Sequence, residues 1–342
     1  MRTTLNRSAA VHAALWLVGG CLLGWAILRT FGLERGFLTV VLVAWTPLAV
    51  PAALLALVLA YLARRPGPGV ATALAAALLL AAVLPRAVGS GHHPDSADGP
   101  ELRVLSANLS RGSSAAAERT VGLARKLGVD LLCIQELTPV AARALDGAGL
   151  DEQLPHFAGA ALPGTRGTGI YSVDPLRSQG SLQPVGSWFE MPVAVARPPG
   201  APRVEIGCVH PAPPTGSEAV HLWREGLRAL PAAGGSRLRV LLGDFNATLD
   251  HAEVRRLLES GYVDAAAATG RGLIPTWPAR MLRPPVTIDR VLADERIGIV
   301  DYAVHGLDGS DHRAVSAVLT LPRPSSAAGI SSRQPTGPGA AG

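Results

Sequence analysis

Hydrophobic positions follow two patterns along the chain, and the pattern changes near residue 90. Before that point, three apolar stretches with almost no charges run from Val11 to Leu28, from Phe37 to Leu62 and from Val70 to Val88. Each is close to the ~20 residues that a helix needs to cross a bilayer. A cleaved signal peptide would show one short apolar core instead. The pattern predicts a membrane region over 1–88 with three transmembrane helices; buried helices of a soluble core are the alternative.

The arginines that flank these stretches predict their orientation. Four lie on the side of the N-terminus and three on the other side: Arg2, Arg7, Arg64 and Arg65 against Arg29, Arg35 and Arg86. Because cytoplasmic loops carry an excess of positive residues, this small bias predicts a cytoplasmic N-terminus. With three spans, everything after residue 90 then lies outside the cell.

Beyond residue 100, short apolar runs alternate with helical spacing. Strands are predicted for LRVLSANL, VDLLCIQEL, RVEIGCVHP, RLRVLLGDFN and VSAVLTL, and helices for AAAERTVGLARKLG and EAVHLWREGLRALPAA. This is an α/β pattern in which both faces of a sheet are covered. Residues 89–100 form a polar, turn-rich linker to this domain, which covers 101–322. Residues 323–342, rich in Pro, Ser, Gly and Ala, are predicted to be a disordered tail.

Charge changes the picture only when it is counted by region. The chain has a pI near 9.6, which is typical of nucleic-acid-binding proteins. The predicted domain, however, contains 22 Arg and Lys against 23 Asp and Glu, a net charge of −1. The basic excess therefore lies in the membrane region, the linker and the tail. This argues against strong binding of duplex DNA, where neutralising phosphates dominates affinity.

The cysteines of the domain give little information about its chemistry. Cys133 and Cys208 each lie in an apolar run, where a buried small hydrophobic residue is the simplest interpretation. No CxxC motif or Cys/His metal spacing occurs. A disulfide between the two is compatible with a location outside the cell, and the sequence does not decide it.

The segment LLGDFNAT places polar groups at the mouth of a buried strand. Side chains two apart on extended backbone point the same way, so Asp244 and Asn246 should face one direction and Phe245 the other. Two polar groups aimed together indicate a site. The alternative is a simple turn, since Gly, Asp and Asn are turn formers.

Strong polar residues border the other predicted strands as well. They are Asn108 in SANL, Glu136 in CIQE, His210 in CVHP, Asp289 in TIDRVL, and Asp311 and His312 in GSDHRAV. Residues at strand ends gather at one rim of a sheet and converge on a cleft. One such coincidence is weak, but turns alone rarely produce six.

These residue types suit metal-assisted hydrolysis. Glu136 is a hard oxygen ligand of the kind that Mg²⁺ prefers. Asp244 can align and deprotonate a water molecule. His312, held by a carboxylate such as Asp289, can stabilise charge that develops on a phosphoryl group. The chain contains no G-x-S-x-G elbow, Walker loop or H-E-x-x-H motif.

The ordered set SANL, IQE, VHP, LLGDFNAT, TIDRVL and GSDHRAV resembles the endonuclease/exonuclease/phosphatase superfamily over essentially all of 101–322. This group includes DNase I-like nucleases, sphingomyelinases and inositol-phosphate phosphatases. The resemblance implies a four-layer α/β fold, in which a two-sheet β-sandwich is flanked by helices and the site lies at the top of the sandwich.

The resemblance also implies a metal set. Glu136 would be the principal ligand of Mg²⁺, with Mn²⁺ as a substitute, helped by Asn108 and Asp311. Several nucleases of the family place an acid two residues after the first-strand Asn. Here that residue is Ser110, which puts a second metal-binding carboxylate in doubt.

The remaining motif residues would act on the substrate. Asp244 would activate or position the attacking water, with Asn246 beside it. His210 would contact the phosphate or protonate the leaving group. His312, oriented by Asp289, would bind the scissile phosphate.

Several further side chains lie near the motifs: Trp188, Phe189 and Trp277, and Arg166, Arg280 and Arg283. The aromatic residues either form an apolar rim for a substrate or pack in the core and at sheet edges. The arginines either hold a phosphate or are ordinary solvated loop residues.

The three spans, the outward-facing domain and the VHPAPP variant also resemble actinomycete membrane proteins linked to glycopeptide (teicoplanin) resistance. This implies a phosphoester or pyrophosphate substrate in the cell envelope, such as a lipid-linked wall precursor. A surface-anchored nuclease is one alternative, and a non-catalytic envelope-binding module is another. The sequence does not identify the substrate, the number of metals or the oligomeric state.

Overall fold

The computed structural model describes residues 2–182, 184, 186–279 and 284–324. Four helices form its N-terminal part: α1 (Arg2–Thr30), α2 (Phe37–Ala44), α3 (Thr46–Leu62) and α4 (Pro66–Val88). By length and composition, α1 and α4 are able to cross a membrane, and a third span exists if α2 and α3 count as one bent element. Most of the predicted tail lies outside the described residues.

The second apolar stretch, expected as one span, is two helices that meet at an angle of 72°. The break falls at Trp45, one residue before Thr46 and two before Pro47. A proline in mid-helix lacks the N–H for the helical hydrogen bond, and its ring clashes with the carbonyl four residues back. Pro47 therefore starts a new helix rather than continuing α2.

Hydrogen bonds between the long helices show their relative directions. Arg65, at the start of α4, donates hydrogen bonds to Ser8 in α1. Trp25, near the end of α1, donates to the Thr46 hydroxyl at the start of α3, at 3.2 Å. Helices α1 and α4 thus run in the same direction, and α3 runs in the opposite one.

Within the described residues, the domain after residue 100 contains twelve strands. They are β1 (Glu101–Asn108), β2 (Leu131–Gln135), β3 (His156–Ala160), β4 (Thr168–Ser172), β5 (Arg177–Ser181), β6 (Pro192–Ala196), β7 (Val204–Val209), β8 (Leu238–Asp244), β9 (Tyr262–Asp264), β10 (Asp289–Asp294), β11 (Gly298–His305) and β12 (Ala314–Thr320). They form two six-stranded sheets, in the orders β11-β12-β1-β2-β4-β3 and β5-β6-β7-β8-β10-β9.

The two sheets pack face to face, and their inward side chains form the central core. Cys133 on β2 and Cys208 on β7 form a disulfide across this core, with a Cα–Cα distance of 5.6 Å. The pairing that the sequence left open is therefore present, and the two residues are still buried as expected. The expected β-sandwich flanked by helices is confirmed.

Helices cover the outer face of each sheet: α5 (Ser114–Leu127), α6 (Pro139–Gly147), α7 (Leu150–Gln153), α8 (Ser217–Arg228) and α9 (Ala252–Glu259). The short α10 (Ala265–Ala268) instead packs its alanines into the central core. Local signals set their limits. The Ser113 hydroxyl accepts a hydrogen bond from the Ala116 amide at 3.2 Å and begins α5. Gly128, in the left-handed conformation, ends α5.

A buried ion cluster joins the membrane helices to the domain. The Asp250 carboxylate accepts two hydrogen bonds from Arg86 on α4, at 2.6 and 2.7 Å, and one from Arg29 on α1, at 3.0 Å. The Glu34 carboxylate accepts a hydrogen bond from the Ala252 amide at 2.7 Å. The domain is therefore seated on the helices at several points, and residues 89–100 are not its sole attachment.

Helix α2 packs into the domain itself. Val40 is 1% exposed and belongs to the core between the second sheet and its helices, with Trp223 and Phe245. The Val40 carbonyl lies 3.0 Å from Nε2 of His251, which follows the loop after β8. The loop that leaves β8 is thus held in place by a segment of the membrane region.

Candidate active site

Strand topology explains why distant sequence segments meet at one edge of the sandwich. β1 is parallel to β2 and β7 is parallel to β8, so the carboxyl ends of each pair lie together. Asn108, Glu136, His210 and Asp244 stand at or just after those four ends. β10 is antiparallel to β8, and its first residue, Asp289, pairs with Asp244.

A glycine allows the strands to approach closely at this edge. Gly243 has φ +145°, and a Cβ there would lie 2.1 Å from the Val209 carbonyl oxygen. Only glycine fits, which gives a physical reason for the first residue of GDFN. Phe245 is buried in the helix-side core while Asp244 and Asn246 face the site, as the alternation predicts.

The eight predicted site residues come together around one cavity of about 740 Å³. Six of them line it: Glu136, His210, Asp244, Asn246, Asp311 and His312. The other two lie behind this wall. Asn108 donates a hydrogen bond to Asp244 at 3.1 Å, and Asp289 faces Nδ1 of His312 at 3.1 and 3.2 Å.

The charged centre of the site is made of Asp244, Asp289 and His312, whose polar atoms lie within 4.8 Å of one another. Burial raises the pKa of Asp244 to about 7; Asp289 adds to this effect and His312 opposes it. Burial lowers the pKa of His312, but the charges of Asp289 and Asp244 outweigh burial and raise it to about 10. His312 is therefore a cation at neutral pH, and a protonated imidazole is not a metal ligand.

His210 has the opposite character. Burial, with a smaller effect from the charge of His312, lowers the pKa of His210 to about 3. Its Nε2 lies 3.9 Å from Asp244, which is beyond hydrogen-bond length, and the neutral ring forms no ion pair there. Its Nδ1 is buried and has no hydrogen-bond partner among the described residues.

Glu136 is held by the turn that follows β1. It accepts hydrogen bonds from the Arg111 amide and, at 3.4 Å, from the Asn108 side chain. Burial raises the pKa of Glu136 above its usual range despite these bonds. Asp311 behaves differently: burial acts to raise its pKa, but a hydrogen bond from Ser110 and the charge of His312 outweigh burial and lower it.

Backbone strain concentrates around the same residues. Ser110, Arg111, Glu136 and Asn246 are non-glycine residues with φ between +45° and +61°. Such conformations cost about 1–3 kcal/mol each and persist where the surrounding structure fixes them, often at functional sites. Among the described residues, the remaining non-glycine case is Arg64, in the turn between α3 and α4.

The donor set fits a hard divalent cation. Glu136, Asp244 and Asp311 offer carboxylate oxygens to one cavity, which are the ligands that Mg²⁺ prefers. Since His312 is already protonated, it and its partner Asp289 form a hydrogen-bonded pair rather than a ligand set. The single positive charge of His312 faces all three of these carboxylates, so a bound cation would balance the negative charge that remains.

Sequence reasoning missed the part of the cavity wall that the membrane region supplies. Five apolar residues of that region line the cavity: Phe37, Val40, Val41, Ala44 and Trp45. Nothing in the apolar stretch 37–62 distinguishes these positions from lipid-facing ones, because the break at Pro47 and the packing of α2 decide it. Arg111 was also missed, since its turn carries only ordinary loop residues.

Of the three aromatic residues that flank the motifs, two fit the interpretation as a substrate rim and one does not. Phe189 and Trp277 line the cavity. Trp188 is 67% exposed and does not line it. Arg166 also lies outside the lining, and Arg280 and Arg283 fall outside the described residues.

Solved structures share this fold. An endonuclease/exonuclease/phosphatase from Beutenbergia cavernae DSM 12333 is 19% identical, with a TM-score of 0.56 over 65% of this chain and 72% of that chain. An AP endonuclease from Archaeoglobus fulgidus is 16% identical, with a TM-score of 0.53 over 64% and 100%. TDP2 from D. rerio, complexed with a single-strand DNA product, is 17% identical, with a TM-score of 0.52 over 64% and 98%. Identities this low show the fold alone, which is that of DNase I-like proteins.

A comparison with protein families identifies the family within this fold. Residues 105–312, more than half of the chain, match the Endonuclease/Exonuclease/phosphatase family. The chain belongs to this family, as the six motifs predict. It is a metal-dependent hydrolase of phosphoester substrates. A comparison with curated proteins found no match.

Proposed function

We propose that this protein is a membrane-anchored, Mg²⁺-dependent phosphoester or pyrophosphate hydrolase that faces the cell exterior and acts on a lipid-linked envelope substrate. One observation carries the proposal. The cavity that contains the hydrolytic residues is completed by α2, which belongs to the membrane region.

Asp244 is the general base of the proposed mechanism. A base works best when its pKa lies near the working pH, and burial brings the pKa of Asp244 to about 7. The Asn108 side chain and the backbone N–H of Asn246 donate hydrogen bonds to the two carboxylate oxygens of Asp244, at 3.1 and 2.8 Å. These bonds fix the orientation of the carboxylate. Asp244 would accept the proton of the attacking water.

The two histidines act on the phosphoryl group in different ways. His312 is a cation fixed by Asp289 and would balance charge that develops on the phosphoryl oxygens. Burial lowers the pKa of His210 to about 3, so its ring is neutral at pH 7 and the protonated form that a general acid needs is scarcely populated. It would instead donate an N–H hydrogen bond to the phosphate or leaving group. Of the two roles that the family implies for His210, this structure favours contact.

Glu136 would hold the metal, helped by Asp311 and the Asn108 side chain. Oδ1 of Asn108 already accepts a hydrogen bond from the backbone N–H of Ser110, at 2.9 Å. This oxygen would therefore be shared between that N–H and the metal. A bound divalent cation would supply electrostatic stabilisation to the phosphoryl oxygens. Mn²⁺ is expected to replace Mg²⁺, because both accept oxygen ligands in octahedral geometry.

Two observations support an exterior location. A disulfide such as Cys133–Cys208 persists in oxidising compartments and is rare in the cytosol. The arginine bias of the flanking segments points the same way, with four arginines on the side of the N-terminus against three on the domain side.

The test is hydrolysis by the full-length protein in lipid nanodiscs. The panel contains prenyl phosphate and pyrophosphate, sphingomyelin, and supercoiled plasmid DNA, each with Mg²⁺, Mn²⁺ or EDTA. We expect cleavage of the lipids, loss in EDTA, and recovery with either metal. Plasmid nicking without lipid cleavage would instead establish the anchored nuclease. A role in glycopeptide resistance, which rests on the sequence resemblance, predicts increased teicoplanin sensitivity when the gene is deleted.

A further inference from the structure

The catalytic cavity has one polar end and one apolar end, and the membrane region contributes only to the apolar one. The polar end is formed by residues of the catalytic domain. The apolar end is formed by one face of α2 and by Trp45, with Pro213, Val286 and Ile288 from the domain. A phosphate needs only the first end. The apolar end has the size and chemistry to take something that a phosphate carries.

The apolar face of α2 is not simply core packing. Val40 is fully packed at 1% exposure, and it accounts for the docking of the helix. Phe37, Val41, Ala44 and Trp45 are only half-buried and border the cavity. Apolar surface left open to water beside a catalytic centre is unfavourable until a ligand covers it.

A second cavity adjoins the apolar end of the first. It has a volume of about 170 Å³ and shares Ala44, Trp45 and Val286 with the first. Its lining includes the buried Arg86 and Asp250, and it also reaches Leu48 on α3, which is 49% exposed. The residues at the bend thus stand between the catalytic cavity and the apolar surface of a helix that the membrane region contributes.

We infer that α2 and Trp45 form a binding site for the hydrocarbon chain of the substrate, so that the enzyme takes an amphipathic lipid phosphate or pyrophosphate. The headgroup would lie against Asp244 and His312, and the chain would pass along Val41 and Ala44 toward Leu48. This inference rests on the proposed function and adds a recognition element to it. It makes the membrane segment a part of substrate specificity.

The test compares one headgroup on two chains, using the full-length protein in nanodiscs with Mg²⁺. The substrates are a long-chain polyprenyl pyrophosphate and dimethylallyl pyrophosphate, which has five carbons. Val41→Asn is expected to lower kcat/KM for the long chain about tenfold and to change the short chain less than about twofold. The matched control is Leu38→Asn, on the same helix, where the side chain is 80% exposed and lines neither cavity. It should leave both substrates near wild type.

A second variant and a binding measurement separate the outcomes. Ala44→Phe adds volume where the two cavities meet and should also reduce long-chain turnover selectively. Photocrosslinking of Asp244→Asn with a polyprenyl phosphate that carries a diazirine on its chain should label 37–45, and Val41→Asn should reduce this label. Equal loss on both chain lengths, or label spread evenly over α1, α3 and α4, would overturn the inference. If no phosphoester is cleaved but the label still falls in 37–45, the proposed reaction fails and the chain site stands.

Discussion

Two buried aspartates, one at the end of β8 and one six residues later in the loop that follows, show how differently the chain uses the same side chain. Asp244 is 1% exposed and Asp250 is 0% exposed. Two arginines surround Asp250, and although burial acts to raise its pKa, their hydrogen bonds and charges hold it below the usual range. Asp244 instead faces a second carboxylate and a single cation, and burial raises its pKa to about 7.

The difference separates a carboxylate that joins two parts of the structure from one whose surroundings suit it to chemistry. Removing one partner of a fully paired buried ion leaves uncompensated charge, which is strongly destabilising. A buried carboxylate that is short of positive charge is a candidate for catalysis or cation binding. The predictions that follow are ordered from the largest expected effect to the smallest.

The largest effect is expected for Asp244→Asn. The amide keeps the shape but cannot accept a proton from water, so kcat/KM should fall about 10³-fold or more. The fold should persist, because Asn108 still has a partner. Hydrolysis of a prenyl pyrophosphate measures kcat/KM, and circular dichroism measures whether the fold persists. Activity above about a tenth of wild type would remove Asp244 from the role of base.

For Asp250→Asn, the expected loss is in stability. Arg29 and Arg86 would lose their shared anion, at a cost of about 3 kcal/mol or more, and Tm should fall by about 6–12 °C. Thermal unfolding of the full-length protein in detergent is the measurement. The matched control is Asp301→Asn, whose carboxylate is exposed and paired only at the surface. An unchanged Tm would show that the cluster does not hold the domain on the helices.

Asp289→Asn should change the pH dependence of the reaction. His312 keeps its proton up to about pH 10, so wild-type kcat/KM should not decline between pH 7 and 9. Without Asp289, the pKa of His312 moves toward its ordinary value of about 6.5, and activity should fall across that range. A wild-type decline near pH 7, identical in the variant, would contradict a cationic His312.

The smallest expected effect concerns stability. At pH 8 in EDTA, Asp244→Asn and Asp250→Asn should change Tm in opposite directions. The folded pKa of Asp244 is above its unfolded value of about 3.9, so its ionisation costs stability as pH rises from about 4 to about 7. Asp244→Asn should therefore raise Tm at pH 8 and leave it nearly unchanged near pH 4.

Asp250 follows the opposite rule in the same experiment. Its folded pKa is lowered, so its contribution is fully present above about pH 3.9 and is lost only as pH falls through the folded pKa. Asp250→Asn should therefore be destabilising at pH 8, with the gap narrowing only below about pH 4. If both variants shift Tm in the same direction at pH 8, the distinction between the two aspartates is wrong.

Much of the catalytic site was predictable because its residues sit at strand ends. Asn108, Glu136, His210 and Asp244 each follow an apolar run, and the parallel pairing of those runs brings them together. The alternating pattern predicted an α/β domain. The division into two sheets came only from the family resemblance, since strand order depends on pairings that a single sequence does not display.

Other features depend on contacts between distant segments. The Asp250 cluster joins residues 164 and 221 positions apart, and no local pattern marks Arg29 or Arg86 as its partners. The role of α2 was missed because apolar residues facing lipid, core or cavity look alike in sequence. Pro47 was the available signal, as a proline inside an apolar stretch marks a break. The roles assigned to the site residues stay predictions until the variants are measured.

The pairing of β1 with both β2 and β12 has a consequence for biosynthesis. The first strand of the domain lies in the middle of its sheet, and one of its two neighbours, β12, is the last strand among the described residues. During synthesis, β1 waits with an unpaired edge until residues 314–320 have been made. A chain that stops before residue 314 would keep that edge exposed, and exposed edges invite pairing with other chains. Truncated products should therefore be cleared by proteolysis or aggregate, rather than persist as partly active enzyme.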